Sequence, residues 1–290
     1  MNNSRRCLIT GGHGYLGSEL AQFLRGTGWQ VVIASRQGAG SDEIAVRLGG
    51  EIPVDSLRGF DALIHCAYDF TAIGWEEIHR TNVIGTRLLL DHALAAGVKT
   101  IITISSISAY EGCRSLYGKA KLLIEQDTFA RGGIVLRPGL IYGGSNRGMY
   151  GRLQAQAAKK IVPLMVGSPC TQYLIQVEDL ARVVEGWLEA RWPKPQLAWT
   201  VAHPEPWPLR KLLSAIAGDR KPIFLPVPWQ PIWLGLKFFE AIGMPRAFKS
   251  DSVISIVNQN PHPDFSQVLA SGIDLRGQEP GRDDKVSLVP

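Results

Sequence analysis

Thr10-Gly11-Gly12-His13-Gly14-Tyr15-Leu16-Gly17 decides how the rest of this 290-residue chain is read. The apolar run Cys7-Leu8-Ile9 precedes it and reads as a buried strand, while Leu20, Phe23 and Leu24 follow at helical spacing. A glycine-rich turn between a first strand and a first helix is the pattern that receives a dinucleotide. Glycines let the backbone approach a pyrophosphate with no Cβ in the way, and the helix N-terminus offers unpaired N–H groups to the anion. Thr10, Gly11, Gly14, Tyr15, Leu16 and Gly17 are therefore expected on the cofactor side.

Downstream the chain alternates strand and helix. Gln30–Ala34 reads as a second strand ending in Ser35-Arg36, where a dinucleotide fold meets the adenosine ribose. Arg36 accommodates a 2′-phosphate and no acid follows until Asp42, so NADP(H) is favoured with NAD(H) as the alternative. A short helix is expected over 42–48 and a third strand over 51–54, with Asp55 facing the adenine or acting as a turn aspartate. A fourth strand over 61–65 leads to Ala67, small enough for the backbone to pass close to a cofactor, and His65 reads as a structural strand-end histidine. A helix over 78–96 carries Asn82, an unfavourable helix residue unless its side chain has a task. The fifth strand, 100–104, runs into Ser105-Ser106, and the helix over 115–130 puts Tyr117 and Lys121 on one face. A sixth strand, 133–136, ends near Pro138, which is also expected on the cofactor side.

This rhythm predicts an α/β, Rossmann-type, doubly wound parallel sheet. The expected division is a dinucleotide-binding domain over 1–145 and a smaller C-terminal α/β substrate domain over 146–290. Within the latter, a helix is expected over 149–160, a strand over 172–176, a helix over 178–190 and a strand over 198–202. The strand over 172–176 and the helix over 178–190 are free to pack back on the first domain. Six of the eight tryptophans lie from Trp187 onward, as pocket lining or as packing for a small cap. Pro231–Met244 reads as a helix covering the substrate pocket, the alternative being an interfacial amphipathic helix. The tail from Gly277 is charged and expected to be loose.

In a parallel sheet, groups beyond the carboxyl ends of the strands converge on one crevice. That convergence makes Asn82, Ser106, Tyr117 and Lys121 a candidate catalytic set. A tyrosine is a poor base at neutral pH, but a nearby ammonium and a positive nicotinamide ring favour its phenolate. Tyr117 then exchanges a proton with a substrate hydroxyl or carbonyl, Ser106 holds that oxygen, and Asn82 orders the backbone or a water. Tyr68, Tyr110, Arg147, Tyr150 and Arg152 are expected to border the crevice on the substrate side.

Composition narrows the partners. A net charge of +5 with scattered basic residues suits an anionic small molecule and does not imply nucleic acid. Four separated cysteines without metal spacing read as free thiols, and with no signal peptide the expected location is the cytoplasm. No metal site is expected, and no apolar stretch is long enough to span a bilayer.

As a set, these residues resemble the extended short-chain dehydrogenase/reductases, the NAD-dependent epimerase/dehydratase branch. The likeness rests on the glycine loop, Thr81-Asn82-Val83-Ile84-Gly85-Thr86, Ser105-Ser106, Tyr117 to Lys121, Leu136 to Gly143 and Ile175 to Ala181. It implies a homodimer and a cofactor close to Ser106, Tyr117 and Lys121, with Lys121 also on the nicotinamide ribose. It also implies a small-molecule substrate, most often a nucleotide-diphosphate sugar. Relatives that dehydrate carry an Asp-Glu pair where this chain has Ile107-Ser108, so dehydration is disfavoured. The expectation is a 4-keto reductase. A nucleotide-sugar 4-epimerase and a 3β-hydroxysteroid-dehydrogenase-like enzyme are the alternatives, and a dinucleotide-sensing regulator is the non-enzymatic one.

Overall fold

The computed structural model describes residues 5–145, 147–244, 248–276 and 280. Except for Pro280, the tail from Gly277 lies outside them.

The first half forms β1 (Arg6–Thr10), α1 (Tyr15–Gly26), β2 (Gln30–Ser35), β3 (Glu43–Ala45), β4 (Ala62–His65), α2 (Trp75–Ile78), α3 (Gly85–Ala95), β5 (Thr100–Ile104), α4 (Leu116–Ala130) and β6 (Ile134–Pro138). The second half forms β7 (Leu140–Tyr142), α5 (Gly148–Ala157), β8 (Ile161–Val166), β9 (Thr171–Gln172), β10 (Leu174–Gln176), α6 (Val177–Leu188) and β11 (Trp199–Val201). It continues through β12 (Trp207–Pro208), α7 (Leu209–Ala217), β13 (Ile223–Pro228), α8 (Trp229–Ala241), α9 (Ser250–Val257) and α10 (Ser266–Ala270).

Seven strands build the main sheet in the order β11-β6-β5-β4-β1-β2-β3, every pair parallel. This is the expected Rossmann-type α/β sheet. Its strands are nearly continuous apolar runs because helices cover both faces. One face packs Leu20, Leu24, Leu180, Val184 and Trp187 from α1 and α6 against the sheet. The other packs Leu89, Leu90 and Ala93 of α3. The chain order reverses between β1 and β4, which opens a crevice at their carboxyl ends.

Three local expectations fail. Residues 43–45 are a strand beside β2, not part of a helix over 42–48. Ile44, Val46 and Leu48 alternate with Glu43, Ala45 and Arg47, a period of two that belongs to a strand and puts those three side chains on one core. The strand expected over 51–54 is absent: Pro53 has no N–H for a ladder, and Val54–Leu57 closes a 3-10 turn. The strand expected over 172–176 is two short ones, β9 paired with β12 and β10 with β7.

Beyond β6, α6, β11 and α10 return to the main sheet. A second core forms around Tyr142, Tyr150, Val162, Leu212, Leu213 and Val253, under the two-stranded β8–β13 ribbon and α8. The junction of the two cores is tight at Gly139, where an added Cβ would lie 2.2 Å from the Tyr173 carbonyl oxygen and 2.8 Å from Ala202 Cβ. Gly139→Ala is expected to destabilise the fold by roughly 1–3 kcal/mol, the usual cost of overpacking. Urea unfolding with an unchanged slope measures this, and an unshifted midpoint contradicts it.

Candidate active site

The glycine turn is closed by its own backbone. Gly14 N donates to Gly11 O over 2.9 Å, and Gly11 holds a φ of +69°. A Cβ on Gly11 would lie 2.9 Å from Ala67 N, and one on Gly17 only 2.3 Å from Gly11 O, so α1, the turn and the β4 end are pressed together. The buried Thr10 hydroxyl accepts from Ala67 N at 3.2 Å and pairs with His65 Nδ1 at 2.8 Å. His65 Nε2 in turn meets Thr86 Oγ1 at 3.0 Å; burial drives its pKa down to about 3, so it stays neutral. It is a structural histidine.

The α1 N-terminus has no side-chain cap and no acid in its first turn. Its free N–H groups and partial positive charge are open to an anion. Leu16 packs into the core behind it, and the Tyr15 hydroxyl donates to Gly143 O over 2.6 Å, where burial raises its pKa. Arg147 lies at the same mouth, with Nη2 2.7 Å from Ser18 Oγ on α1 and Nε 3.1 Å from Ser145 Oγ.

At the β2 end the folding of β3 brings in a residue the sequence reading missed. Ser35 Oγ donates to Glu43 Oε2 over 2.9 Å, and Glu43 Oε1 lies 3.0 Å from His13 Nε2 of the glycine turn. The Ser35 hydrogen bond, aided by His13, keeps the Glu43 carboxyl below the usual carboxylate range. Its signal was the alternating pattern over 43–48. Arg36 is exposed and adds to the Thr71 hydrogen bonds that hold the Asp69 carboxyl below its ordinary range. Asp55 lies in the Val54–Leu57 turn, where its carboxylate, 85% exposed, pairs with Arg58 Nε at 2.7 Å.

The catalytic candidates meet at the ends of β5 and α4. The Ser106 hydroxyl lies close enough to Tyr117 to favour its phenolate, and Ser106 Oγ accepts from Ser108 N at 3.1 Å. Lys121 is fully buried, donates to Ile104 O over 2.8 Å, and stands 5.2 Å from the Tyr68 ring centroid and 6.0 Å from that of Tyr117. Burial lowers its pKa to about 8 and raises that of Tyr117 to about 12, against which the nearby Ser106 hydroxyl works. Below them Glu125 accepts from Ser105 Oγ at 2.5 Å and from Arg137 Nε at 2.8 Å, which ties the end of β5 to α4. Pro138 ends the neighbouring β6, and its carbonyl accepts from Ile107 N over 3.0 Å.

Asn82 lies in a widened helical turn, His79–Ile84, and is fully buried. Its Oδ1 accepts from Asp69 N at 2.6 Å and its Nδ2 donates to Asp69 O at 3.2 Å. Its side chain orders the loop after β4, which carries Tyr68 and Phe70. Tyr68 packs edge-on against Tyr117 with centroids 5.0 Å apart, and Phe70 stacks on it at 5.8 Å. The buried Tyr68 hydroxyl has no hydrogen-bond partner among the described residues.

The C-terminal region reaches this site through α9, which sequence reasoning did not foresee. Asp251 accepts from Leu116 N at 2.7 Å and Tyr117 N at 3.0 Å, while Ser115 Oγ accepts from Gly118 N at 3.0 Å. The helix that carries Tyr117 is thus capped twice. Ser255 Oγ donates to Ser108 Oγ at 3.0 Å, and the Tyr110 hydroxyl donates to Asn258 O over 2.9 Å. Tyr110 is therefore committed to this latch. Tyr150 is 1% exposed and packs on Tyr142 in the second core, so it does not border the crevice; Arg152 is exposed on α5.

The arrangement fits a dinucleotide, with an uncapped helix end for the pyrophosphate and Lys121 beside Tyr117 for the nicotinamide half. Among the described residues no group of three His, Cys, Asp or Glu is placed to hold a metal, and the four thiols are free. Removing the cap by Asp251→Ala is expected to lower stability by about 1 kcal/mol and turnover by about tenfold. Thermal unfolding and initial rates measure the two; unchanged turnover removes Asp251 from the positioning of Tyr117.

Ceramide reductase of Caulobacter vibrioides is 29% identical over 184 residues, 60% of this chain and 57% of the relative. Human sterol-4-alpha-carboxylate 3-dehydrogenase, decarboxylating, is 30% identical over 38% of this chain and 32% of the relative. The chain thus spans less than two thirds of the length of either. The 2-alkyl-3-oxoalkanoate reductase of Stenotrophomonas maltophilia is 24% identical over 73% of this chain and 74% of its own. Among solved structures, the NAD-dependent NDP-hexosamine 5,6-dehydratase TunA superposes with a TM-score of 0.73 at 17% identity, covering 96% of each chain. The NAD complex of UDP-glucose 4-epimerase from Thermus thermophilus gives 0.63 at 20% identity, over 87% of this chain and 97% of that one. The family model of the NAD dependent epimerase/dehydratases matches residues 7–195, and with the sheet and crevice described above, the chain belongs to that family.

Proposed function

We propose that this protein is an NAD(H)-dependent oxidoreductase that interconverts a secondary hydroxyl and a ketone on an apolar, lipid-like substrate. The observation that carries the reaction is Ser106 beside Tyr117 with Lys121 buried behind them, at the crevice where the glycine turn opens. The nicotinamide, when bound, supplies or takes the hydride. Tyr117 holds the proton in the resting state and exchanges it with the substrate oxygen, which Ser106 steadies. Lys121 in its cationic form draws the Tyr117 proton affinity down. With Ile107 and Ser108 after Ser106, no carboxylic acid stands there to protonate a leaving hydroxyl, so dehydration is disfavoured.

Two supports favour an apolar substrate over the nucleotide sugar expected from the family at large. Phe70 stacks on Tyr117 while 65% exposed, which gives the reacting hydroxyl an aromatic rim. The curated relatives named above act on a ceramide, a sterol and an alkyl ketone. The groups anticipated for a diphosphate do not gather beside Tyr117: Arg147 turns to Ser18 on α1 and Tyr150 is in the core. We assign substrate recognition to Tyr68, Phe70 and the region 146–290, and keep the cytoplasmic, homodimeric reading. A dinucleotide-sensing regulator is the competing class.

Glu43 turns the cofactor preference from NADP(H) to NAD(H). Its carboxylate, held by Ser35, accepts from a ribose diol and repels a 2′-phosphate. Glu43→Ala is expected to lower the NADH/NADPH ratio of kcat/KM about tenfold, from the loss of one such contact and one repulsion. An unchanged ratio leaves Arg36 as the determinant.

Tyr117→Phe is expected to cost about 10²–10⁴-fold in kcat while leaving NADH binding within a factor of about two. Retained turnover in that variant would falsify the catalytic assignment. A panel of long-chain ketones, 3-ketosteroids and 4-keto nucleotide sugars then separates the substrate classes. NADH consumption with the sugars alone overturns the apolar reading, and consumption with none supports the regulator.

A further inference from the structure

Helix α8 is apolar on two sides and uses one. Trp229, Ile232, Trp233 and Leu236 recur at helical spacing and pack on the second core. Leu234, Phe238 and the flanking Ile242 form a second stripe, 64%, 62% and 50% exposed, and no α8 residue is buried. The preceding ribbon is also uncovered. In the parallel β8–β13 pair, Ile161 stands opposite Ile223 and Pro163 opposite Leu225. Ile161, Ile223 and Leu225 are 55%, 60% and 53% exposed, although parallel strands are normally covered on both faces.

Cations crowd the same elements. Lys159 and Lys160 enter β8, Arg220 and Lys221 enter β13, and Ile223 N donates to Lys160 O over 2.9 Å, so the four lie at one end of the ribbon. Lys237 sits between Leu234 and Phe238 on α8. Among the described residues none of the five has a carboxylate within ion-pair distance, and Asp219 is the one acid within the Asp219-Arg220-Lys221 run.

We propose that the β8–β13 ribbon and the outer stripe of α8 form a docking surface for an anionic lipid membrane, on which this protein sits as a peripheral protein. Apolar side chains bordered by unpaired cations match an interface of acyl chains below negative headgroups. A second copy fits less well, since this face carries Lys159, Lys160, Arg220, Lys221 and Lys237 against Asp219 and Glu240 and so offers a partner copy little opposite charge. At 13 residues α8 is too short to cross a bilayer and lies along the surface instead. The inner stripe of α8 packs on the second core while its free stripe faces outward. The docked face is tied to the catalytic helix: Glu240 of α8 accepts from Ser250 N and Oγ, each at 2.7 Å, and the next residue, Asp251, caps the helix that carries Tyr117.

The proposal stands apart from the assigned reaction, so binding rather than turnover tests it. The full chain is sedimented with vesicles of phosphatidylcholine alone and of phosphatidylcholine mixed with phosphatidylglycerol, at low and high salt. Binding to the mixed vesicles only, weakened by salt, is expected. Lys160→Glu/Lys221→Glu should lower the partition coefficient at least about tenfold, each surface cation being worth about a factor of five. Leu234→Asn/Phe238→Asn, whose parent side chains are exposed, should lower it comparably, with circular dichroism and melting temperature unchanged in both variants. No sedimentation with the mixed vesicles overturns the proposal. So does binding that both folded variants retain, or a dimer in analytical ultracentrifugation that both variants dissociate.

Discussion

The crevice depends on one buried chain of hydrogen bonds, Ala67 N to Thr10 to His65 to Thr86. It fastens the ends of β1 and β4 to α3 at the place where the strand order reverses. Glycines alone would let the turn approach β4, but would not hold it there. A neutral imidazole with both nitrogens engaged does so at modest cost, whereas a charged one without a counter-ion would be expensive at that depth. The burial that depresses the His65 pKa to about 3 therefore keeps this joint intact across physiological pH.

From that joint the site is assembled by segments far apart in sequence. Asn82 fixes the loop that carries Tyr68 and Phe70 through both backbone groups of Asp69. Glu125 and Arg137 fix Ser105 beside Ser106. Asp251, from the last quarter of the chain, fixes the first turn of α4. The last is a local polar bond with a long closure in sequence, so the helix that carries Tyr117 and the C-terminal region order together. Lys249 extends the same latch, with Nζ 3.1 Å from the Ala72 carbonyl.

The fold was legible where one physical signal dominated. Buried strands such as Thr100–Ile104 and the glycine turn announce themselves by apolar runs and by spacing. Residues 42–48 misled because a short edge strand and a short helix compete over few residues, and the alternation of Ile44, Val46 and Leu48 had to outweigh Asp42 as a helix cap. That single misreading hid Glu43, which meets Ser35 at the strand end that carries Arg36. Asp251, Asn258 and Glu240 were invisible for another reason. Each contact has a backbone group on one side, the N–H of Leu116, Tyr117 or Ser250 or the C=O of Asn258, and a backbone group carries no mark in the sequence. The exposed stripe of α8 was half legible: its composition was apolar throughout, but which side faces the core is set by tertiary packing.

The electrostatics of the pair at the centre follow from the same burial. Lys121 is taken out of water with one carbonyl as its direct partner, so its charge is held less firmly than on the surface, at about 8 against an ordinary 10.5. Above pH 8 the folded state therefore binds fewer protons there than the unfolded chain, and this group's penalty on stability shrinks as pH rises toward 10.5. Tyr117 moves the other way, to about 12, and keeps its proton in the resting crevice. Neither group is set for proton transfer by the protein alone. A cationic ring beside Tyr117 would favour the phenolate, and a ribose hydroxyl on Lys121 would replace lost solvation. The pair is thus tuned by what enters the crevice, and the orphaned Tyr68 hydroxyl beside it belongs to the same unfinished set of contacts.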